Sequence, residues 1–225
     1  MLHVADEVFE RYPGVLIGTV VASGLDNTGE RPDLAGELRS AELELRGRLA
    51  GSVLVEHERI APWRDAYRAF GAKPKKYPSS IEAIARRVLK GGDMPSINPL
   101  VNLYNVVSMR HALPVGGEDL AALEGQLQLR FAGENEPEVE LLGRPVAAAP
   151  LFGEVIYADD KGAVCRRWNW REAARTCLKG DTRDAILVVE SLPPTSRSEL
   201  EAALDDLFAA IQLYCGGRCE RVIYG

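Results

Sequence analysis

The segment Asn98 to Arg110, NPLVNLYNVVSMR, constrains this chain more than any other. Asn98 suits an N-cap and Pro99 the first helical position, so a helix is predicted from there to about Arg110, before Pro114. Leu100, Val101, Leu103, Val106, Val107 and Met109 are spread around it. A helix apolar nearly all round belongs inside a fold. Asn98, Asn102 and Asn105, spaced i, i+4 and i+7, share one face. A buried amide left unpaired costs about 1–3 kcal/mol, so the stripe is either a packed polar network or the wall of a polar pocket.

The layers that bury this helix are legible on either side of it. Residues 4–11 read as a turn or two of helix, Val15–Val21 as a strand, and Pro32–Leu49 and Pro62–Phe70 as helices. Ser79 with Glu82 fits a capping box in front of a helix Ile81–Leu89 that Gly91-Gly92 ends. From Gln126 the pattern changes: QLQLRF alternates, PVAAAP is short and apolar, GEVIYAD is strand-like and AILVVES reads as a buried strand. Ser196/Ser198 caps a last amphipathic helix to about Tyr214. The expected class is α+β in a single domain, a helical N-terminal part packed on a mixed or antiparallel sheet.

With 225 residues the chain can bury enough surface to fold without disulfides or a metal. Its four cysteines lie late in the chain, and no basic-then-apolar leader or membrane-length apolar run is present, which points to a reducing, cytoplasmic setting. The net charge of −6 conceals two basic blocks: residues 63–90 carry eight basic and two acidic side chains, and 160–183 seven and three. On an acidic protein such blocks suggest a localised anion-binding face, or else two merely solvated surfaces.

Three units could carry chemistry. Gly116-Gly117, in a segment that reads as a loop, could present backbone N–H groups to an oxyanion, or could simply form a tight turn. CRRWNWRE at 165–172 mixes Arg with Trp and suits stacking on a base beside phosphates, although Trp at i and i+2 also fits a strand burying one face. Cys215 and Cys219 form an isolated C-x3-C, with His3, His57 and His111 all distant, so no metal site is expected. G-x-S-x-G, the phosphate-binding G-x-x-x-x-G-K-[ST] and G-x-G-x-x-G are all missing.

Several of these residues fall into an ordered set. Pro95-Ser96-Ile97-Asn98, Val101-Asn102, Tyr104-Asn105, then Leu113-Pro114-Val115-Gly116-Gly117-Glu118-Asp119, then Gly143-Arg144-Pro145-Val146-Ala147-Ala148-Ala149 resemble three blocks of the editing (B3/B4) domain of the phenylalanyl-tRNA synthetase beta subunit. FGAKPKKYPSSIEAIARRVLKGG, GEVIYADD and CRRWNWRE resemble its freestanding relatives. The likeness spans roughly residues 60–190, and divides the chain into an extension, 1–60, and a B3/B4-like part, 61–225. A histidine of the synthetase domain falls on Gly116 here.

The resemblance implies a trans-acting deacylase, a carboxylic ester hydrolase and not a ligase, that hydrolyses the ester joining a wrong amino acid to the 3′ end of tRNA. It needs no cofactor, metal, DNA or membrane. Such an ester is labile, so holding a water and stabilising the oxyanion can supply the rate. Asn105, Gly116, Gly117 and Glu118 or Glu154 would act at the reacting centre. Asn98, Asn102, Tyr104, Ser108 and Asp119 would line the aminoacyl pocket. Lys73, Lys75, Lys76, Arg166, Arg167 and Arg171 would meet phosphates, with Trp168, Asn169 and Trp170 at the terminal adenosine. The rivals are a non-catalytic tRNA-binding module and a hydrolase of small aminoacyl or amide metabolites.

Overall fold

The computed structural model describes residues 2–144 and 146–225. Pro145, within the third resembling block, and Met1 lie outside the described residues. In chain order the elements are β1 (His3–Val4), α1 (Asp6–Arg11), β2 (Leu16–Ser23), α2 (Pro32–Leu49), α3 (Ala61–Ala69), α4 (Ser80–Leu89), α5 (Pro99–His111), β3 (Val115–Asp119), β4 (Gln128–Phe131), β5 (Val155–Asp159), β6 (Gly162–Arg166), β7 (Arg171–Glu172), β8 (Ala185–Ser191), α6 (Arg197–Tyr214) and β9 (Arg218–Tyr224). They form an α+β fold with one antiparallel sheet, ordered β3-β8-β2-β9, and one mixed sheet, ordered β1-β4-β5-β6-β7.

The layers follow from the period-two alternation along β8. Ala185, Leu187 and Val189 point to one side, where they meet α2, α5 and α6 through Leu38, Leu45, Leu103, Val107, Leu204 and Leu207. Ile186 and Val188 point to the other, against Leu129, Val155, Tyr157 and Val164 of the mixed sheet and Trp63 and Tyr67 of α3. All seven residues of β8 are buried, as a strand covered on both faces requires. Gly18 of β2 lets α6 lie directly on the sheet, since a Cβ there would run into Leu204. β2, foreseen as an added strand, has partners on both sides, β8 and β9.

Three local expectations change. PVGGED is not a loop but the edge strand β3, because Val115 and Glu118 both find buried places across from β8. Ser79 does cap α4, accepting from the Glu82 N–H at 3.4 Å, but only half the capping box forms. The Glu82 carboxylate turns instead to Arg64 and Arg86. The full box is at the last helix, where Ser196 and Glu199 cap each other. β9 had no counterpart in the sequence reading; its half-exposed residues lack a clean alternation.

Candidate active site

A cavity of about 280 Å³ opens between the two sheets, roofed by α4 and α5. Ser80, Ala83 and Ile84 come from α4, Tyr104 and Asn105 from α5, and Val115, Gly116, Gly117 and Glu118 from β3. The mixed sheet contributes Tyr157, Cys165 and the run Trp168 to Glu172, and β8 adds Val188 and Glu190. Its walls are mainly apolar with a few converging polar groups, the usual make-up of a small-molecule site.

The asparagine stripe divides between its two possible readings. Asn98 caps α5, accepting from Val101 N–H at 3.0 Å and donating to the Leu178 carbonyl at 3.1 Å. Asn102 accepts from Ile97 N–H at 2.9 Å and donates to Ser96 Oγ at 2.8 Å. Both belong to a packed network, which Asn27 extends by accepting from Leu100 N–H at 2.8 Å. Asn105 alone of the three lines the cavity. Ser108 is fully buried and donates to the Leu113 carbonyl, while Asp119 accepts from Ala121 N–H and the Thr182 hydroxyl. These two close a helix end and a turn, away from the cavity.

The backbone of β3 corrects the expected pair of oxyanion donors. The Glu190 N–H donates to the Pro114 carbonyl, and in an antiparallel ladder the hydrogen-bonded pairs alternate, so Gly116 spends its N–H on Val188. Gly117 points its N–H outward, toward the Glu172 carboxylate. Gly116 instead supplies space: a Cβ there would stand 3.3 Å from Glu172 Oε1.

Three carboxylates face this cavity, and two of them, Glu172 and Glu190, were not singled out from the sequence. Glu190 accepts from Tyr157 OH at 2.5 Å, Trp168 Nε1 at 2.7 Å and Asn169 Nδ2 at 2.6 Å. Burial nevertheless pushes its pKa up to about 7. Burial also pushes Glu172 up to about 7, opposed by the Gly117 N–H and Arg171. Glu118 is raised well above the carboxylate range, first by burial and then by Glu172 beside it. The Tyr104 phenol is pushed up by burial as well. The alternation of β8 could have flagged Glu190, a charge on a strand otherwise apolar on that face.

CRRWNWRE turns out to be a hairpin turn between β6 and β7, with Arg167 and Trp168 in the left-handed region at φ 49° and 63°. Trp168 is therefore no stacking platform: it is fully buried, 4.8 Å from the Tyr12 ring and 5.1 Å from Trp63. Nor is Arg166 free for phosphate. It grips Glu154 through Nε at 2.9 Å and Nη2 at 2.8 Å, both side chains nearly solvent-free, which also removes Glu154 from the reacting centre. Asn169 sits in the cavity wall, accepting from Tyr67 OH at 2.9 Å.

Lys73, Lys75 and Lys76 are exposed, and Lys73 and Lys76 line a second pocket with Tyr77 and Arg167. The Arg167 guanidinium lies 3.8 Å over the Tyr77 ring and 4.7 Å over Trp170, with Arg144 and Arg171 each 5.7 Å from the same indole. A hydrogen bond with Lys76 and the charge of Arg167 pull the Tyr77 phenol down. Trp170 also lines the cavity, so its ring stands between the basic surface and the acidic interior. Among the described residues no group of three or more His, Cys, Asp and Glu could hold a metal ion, and no helix is long and apolar enough to cross a membrane.

Comparison with known proteins gives a family and a likeness of fold. The B3/4 domain family matches residues 62–216, more than half of the chain. Among solved structures, the chain resembles an N-terminal fragment of the phenylalanyl-tRNA synthetase beta-subunit from Pyrococcus horikoshii, with a TM-score of 0.50 and 9% identity. That likeness covers 100% of this chain and 54% of the other, so the chain spans about half the length of that structure. At this identity it is a likeness of fold. No curated protein matches the chain.

Proposed function

The chain belongs to the B3/4 domain family, and from that premise we propose that it is a trans-editing deacylase, hydrolysing the ester of a mischarged aminoacyl-tRNA. The observation that carries this reading is the adjacency of the mainly apolar cavity and the exposed Lys73, Lys75 and Lys76, with Trp170 between them. A tRNA 3′ end crossing the basic surface would meet Trp170 as a stacking face and deliver its aminoacyl group inward. Asn105, whose side-chain amide makes no hydrogen bond among the described residues, offers a donor and an acceptor to the ester or to the attacking water. Glu118 and Glu172 orient the amino group or the water. Most of the acceleration comes from positioning, since the bond being cut is labile already.

Deacylation of a panel of labelled aminoacyl-tRNAs, mischarged and correct, tests this. One mischarged species is expected to turn over, with Asn105→Ala slowing it about 10²–10³-fold, as for loss of one positioned donor. An Asn105→Ala protein as fast as wild type removes that residue from the site. A family histidine falls on Gly116, which favours the binding-module reading as the second one; no turnover with salt-sensitive tRNA binding would establish it. Reversing Lys73, Lys75 and Lys76 to Glu is expected to weaken tRNA binding and to flatten its salt dependence by about one unit of slope for each phosphate no longer neutralised. Unchanged affinity and slope would take tRNA off this face.

A further inference from the structure

Among the described residues six carboxylates are buried: Glu42, Glu82, Glu118, Glu154, Asp159 and Glu190. Four have an arginine: Glu42 has Arg39, Glu82 has Arg64 and Arg86, Glu154 has Arg166 and Asp159 has Arg175. The two without one, Glu118 and Glu190, are the two that face the cavity. Glu190 is served by three neutral donors, but Glu118 is not served: its Oε2 is buried with no hydrogen bond. The neighbouring Thr176 hydroxyl is buried and makes no hydrogen bond of normal geometry, and its pull on Glu118 comes only after the opposing effects of burial and Glu172.

The two arginines nearest this end of the cavity make no hydrogen bond to Glu118, although Arg171 lines the cavity with its Nε buried and unpaired and its charge pulls the neighbouring Glu172 down. Arg175 clamps Asp159 with two bonds of 2.8 Å and donates to the Ala122 carbonyl. Arg171 donates to the Leu142 carbonyl at 3.2 Å and lies over Trp170. A buried carboxylate is tolerated when a cation or a full set of donors compensates it; four of the other five have an arginine and Glu190 has three neutral donors, which leaves the compensation of Glu118 to something that enters. The entrant is organic rather than metallic, since the described donors do not form a metal-holding cluster.

We propose that the Glu118–Glu172 end of the cavity is a site for a primary ammonium group, so that the cavity takes aminoacyl compounds with a free α-amino group and refuses those in which it is acylated. An ammonium brings three donors and one positive charge to two carboxylates that otherwise repel each other. Acylation removes the charge and adds bulk beside Gly116, where even a Cβ on that residue would come within 3.3 Å of Glu172 Oε1. The inference rests on reading the cavity as the aminoacyl site and names which group of the substrate that site selects.

The test uses the intact protein and two assays. In the first, binding of L-amino-acid amides with alkyl and aromatic side chains is followed by chemical-shift perturbation, beside their N-acetyl and des-amino counterparts. At least one amide is expected to bind while its two counterparts do not, and Glu118→Gln is expected to weaken it about ten- to a hundred-fold, the worth of a charged hydrogen bond. Equal binding of amide and N-acetyl amide, or no binding of any amide, overturns the proposal, and neither result depends on a variant folding. In the second, aminoacyl-tRNA is compared with N-acetyl-aminoacyl-tRNA. Equal hydrolysis sinks the ammonium site and spares the deacylase. Amine-selective binding with no tRNA turnover sinks the deacylase and spares the ammonium site.

Discussion

Arg166→Ala is expected to lower the unfolding free energy by about 3–5 kcal/mol, the usual consequence of stripping one partner from a buried ion pair. Arg166 and Glu154 are joined by two parallel bonds, and a third donor, the Arg167 N–H, reaches the same carboxylate at 3.0 Å. With the guanidinium gone, the buried Glu154 keeps only the Arg167 guanidinium, 3.8 Å away, as a cation, and the Ala148 carbonyl loses its side-chain donor as well. Pairing Arg166→Met with Glu154→Gln should recover part of the loss, because the glutamine keeps an acceptor for Arg167 N–H and the buried carboxylate charge is gone, although the Arg167 guanidinium then loses its partner 3.8 Å away. Denaturant melts of the wild type, Arg166→Ala and the double variant measure this. Were Arg166 a phosphate contact instead, its removal would leave the melt unchanged and reduce the salt slope of tRNA binding.

Arg166 also shows where sequence reading succeeds and where it fails. Elements whose pattern is set by a single neighbour were legible: the cap of α5 by Asn98, the even burial of β8, the closing helix α6 behind Ser196. What the pattern could not supply was the partner. A basic run in a sequence is silent on whether its arginines face solvent, as Lys73, Lys75 and Lys76 do, or lock onto a buried acid twelve residues earlier. Trp168 and Trp170 differ in the same way. The left-handed pair Arg167-Trp168 turns the first indole into the core and leaves the second half-buried between four aromatic and cationic neighbours. No residue-level preference announces that turn, since both positions would ordinarily avoid a positive φ.

The carboxylates of the site were harder still. Glu118 was reached through its neighbouring glycines, but Glu172 enters the cavity only because the β6–β7 hairpin folds back under β3, a pairing of segments more than 50 residues apart. The two glycines themselves were assigned as donors. Their part is steric for Gly116 and a single outward N–H for Gly117, a distinction that depends on the register with β8.

The second large effect concerns pH. Glu172 and Glu190 have pKa values pushed from 4.5 to about 7 by burial, so between those limits the folded protein holds protons that the unfolded chain has released. The native state then binds more protons, and stability falls as pH rises from about 4.5 through about 7, with Glu118, raised in the same direction, adding to the fall. Glu172 and Glu190 can each contribute up to about 3 kcal/mol across that window, at 1.36 kcal/mol per unit. Groups of the opposite kind act lower. Asp159 is held low by Arg175 despite its burial, and Glu136 by Arg130, so stability is also lost as pH drops below their ordinary range. The expected curve therefore peaks near pH 5 rather than at neutrality, when read by urea denaturation across a pH series. Glu190→Gln should remove that residue's share of the descending limb, with Glu172 and Glu118 responsible for the remainder. The glutamine still accepts from Tyr157 and Trp168 but turns an NH2 toward Asn169 Nδ2, so at the peak it should be less stable than wild type. A wild-type curve flat from pH 5 to 8 would mean that water or rearrangement relieves these acids, and that the cavity is wetter than its apolar walls imply.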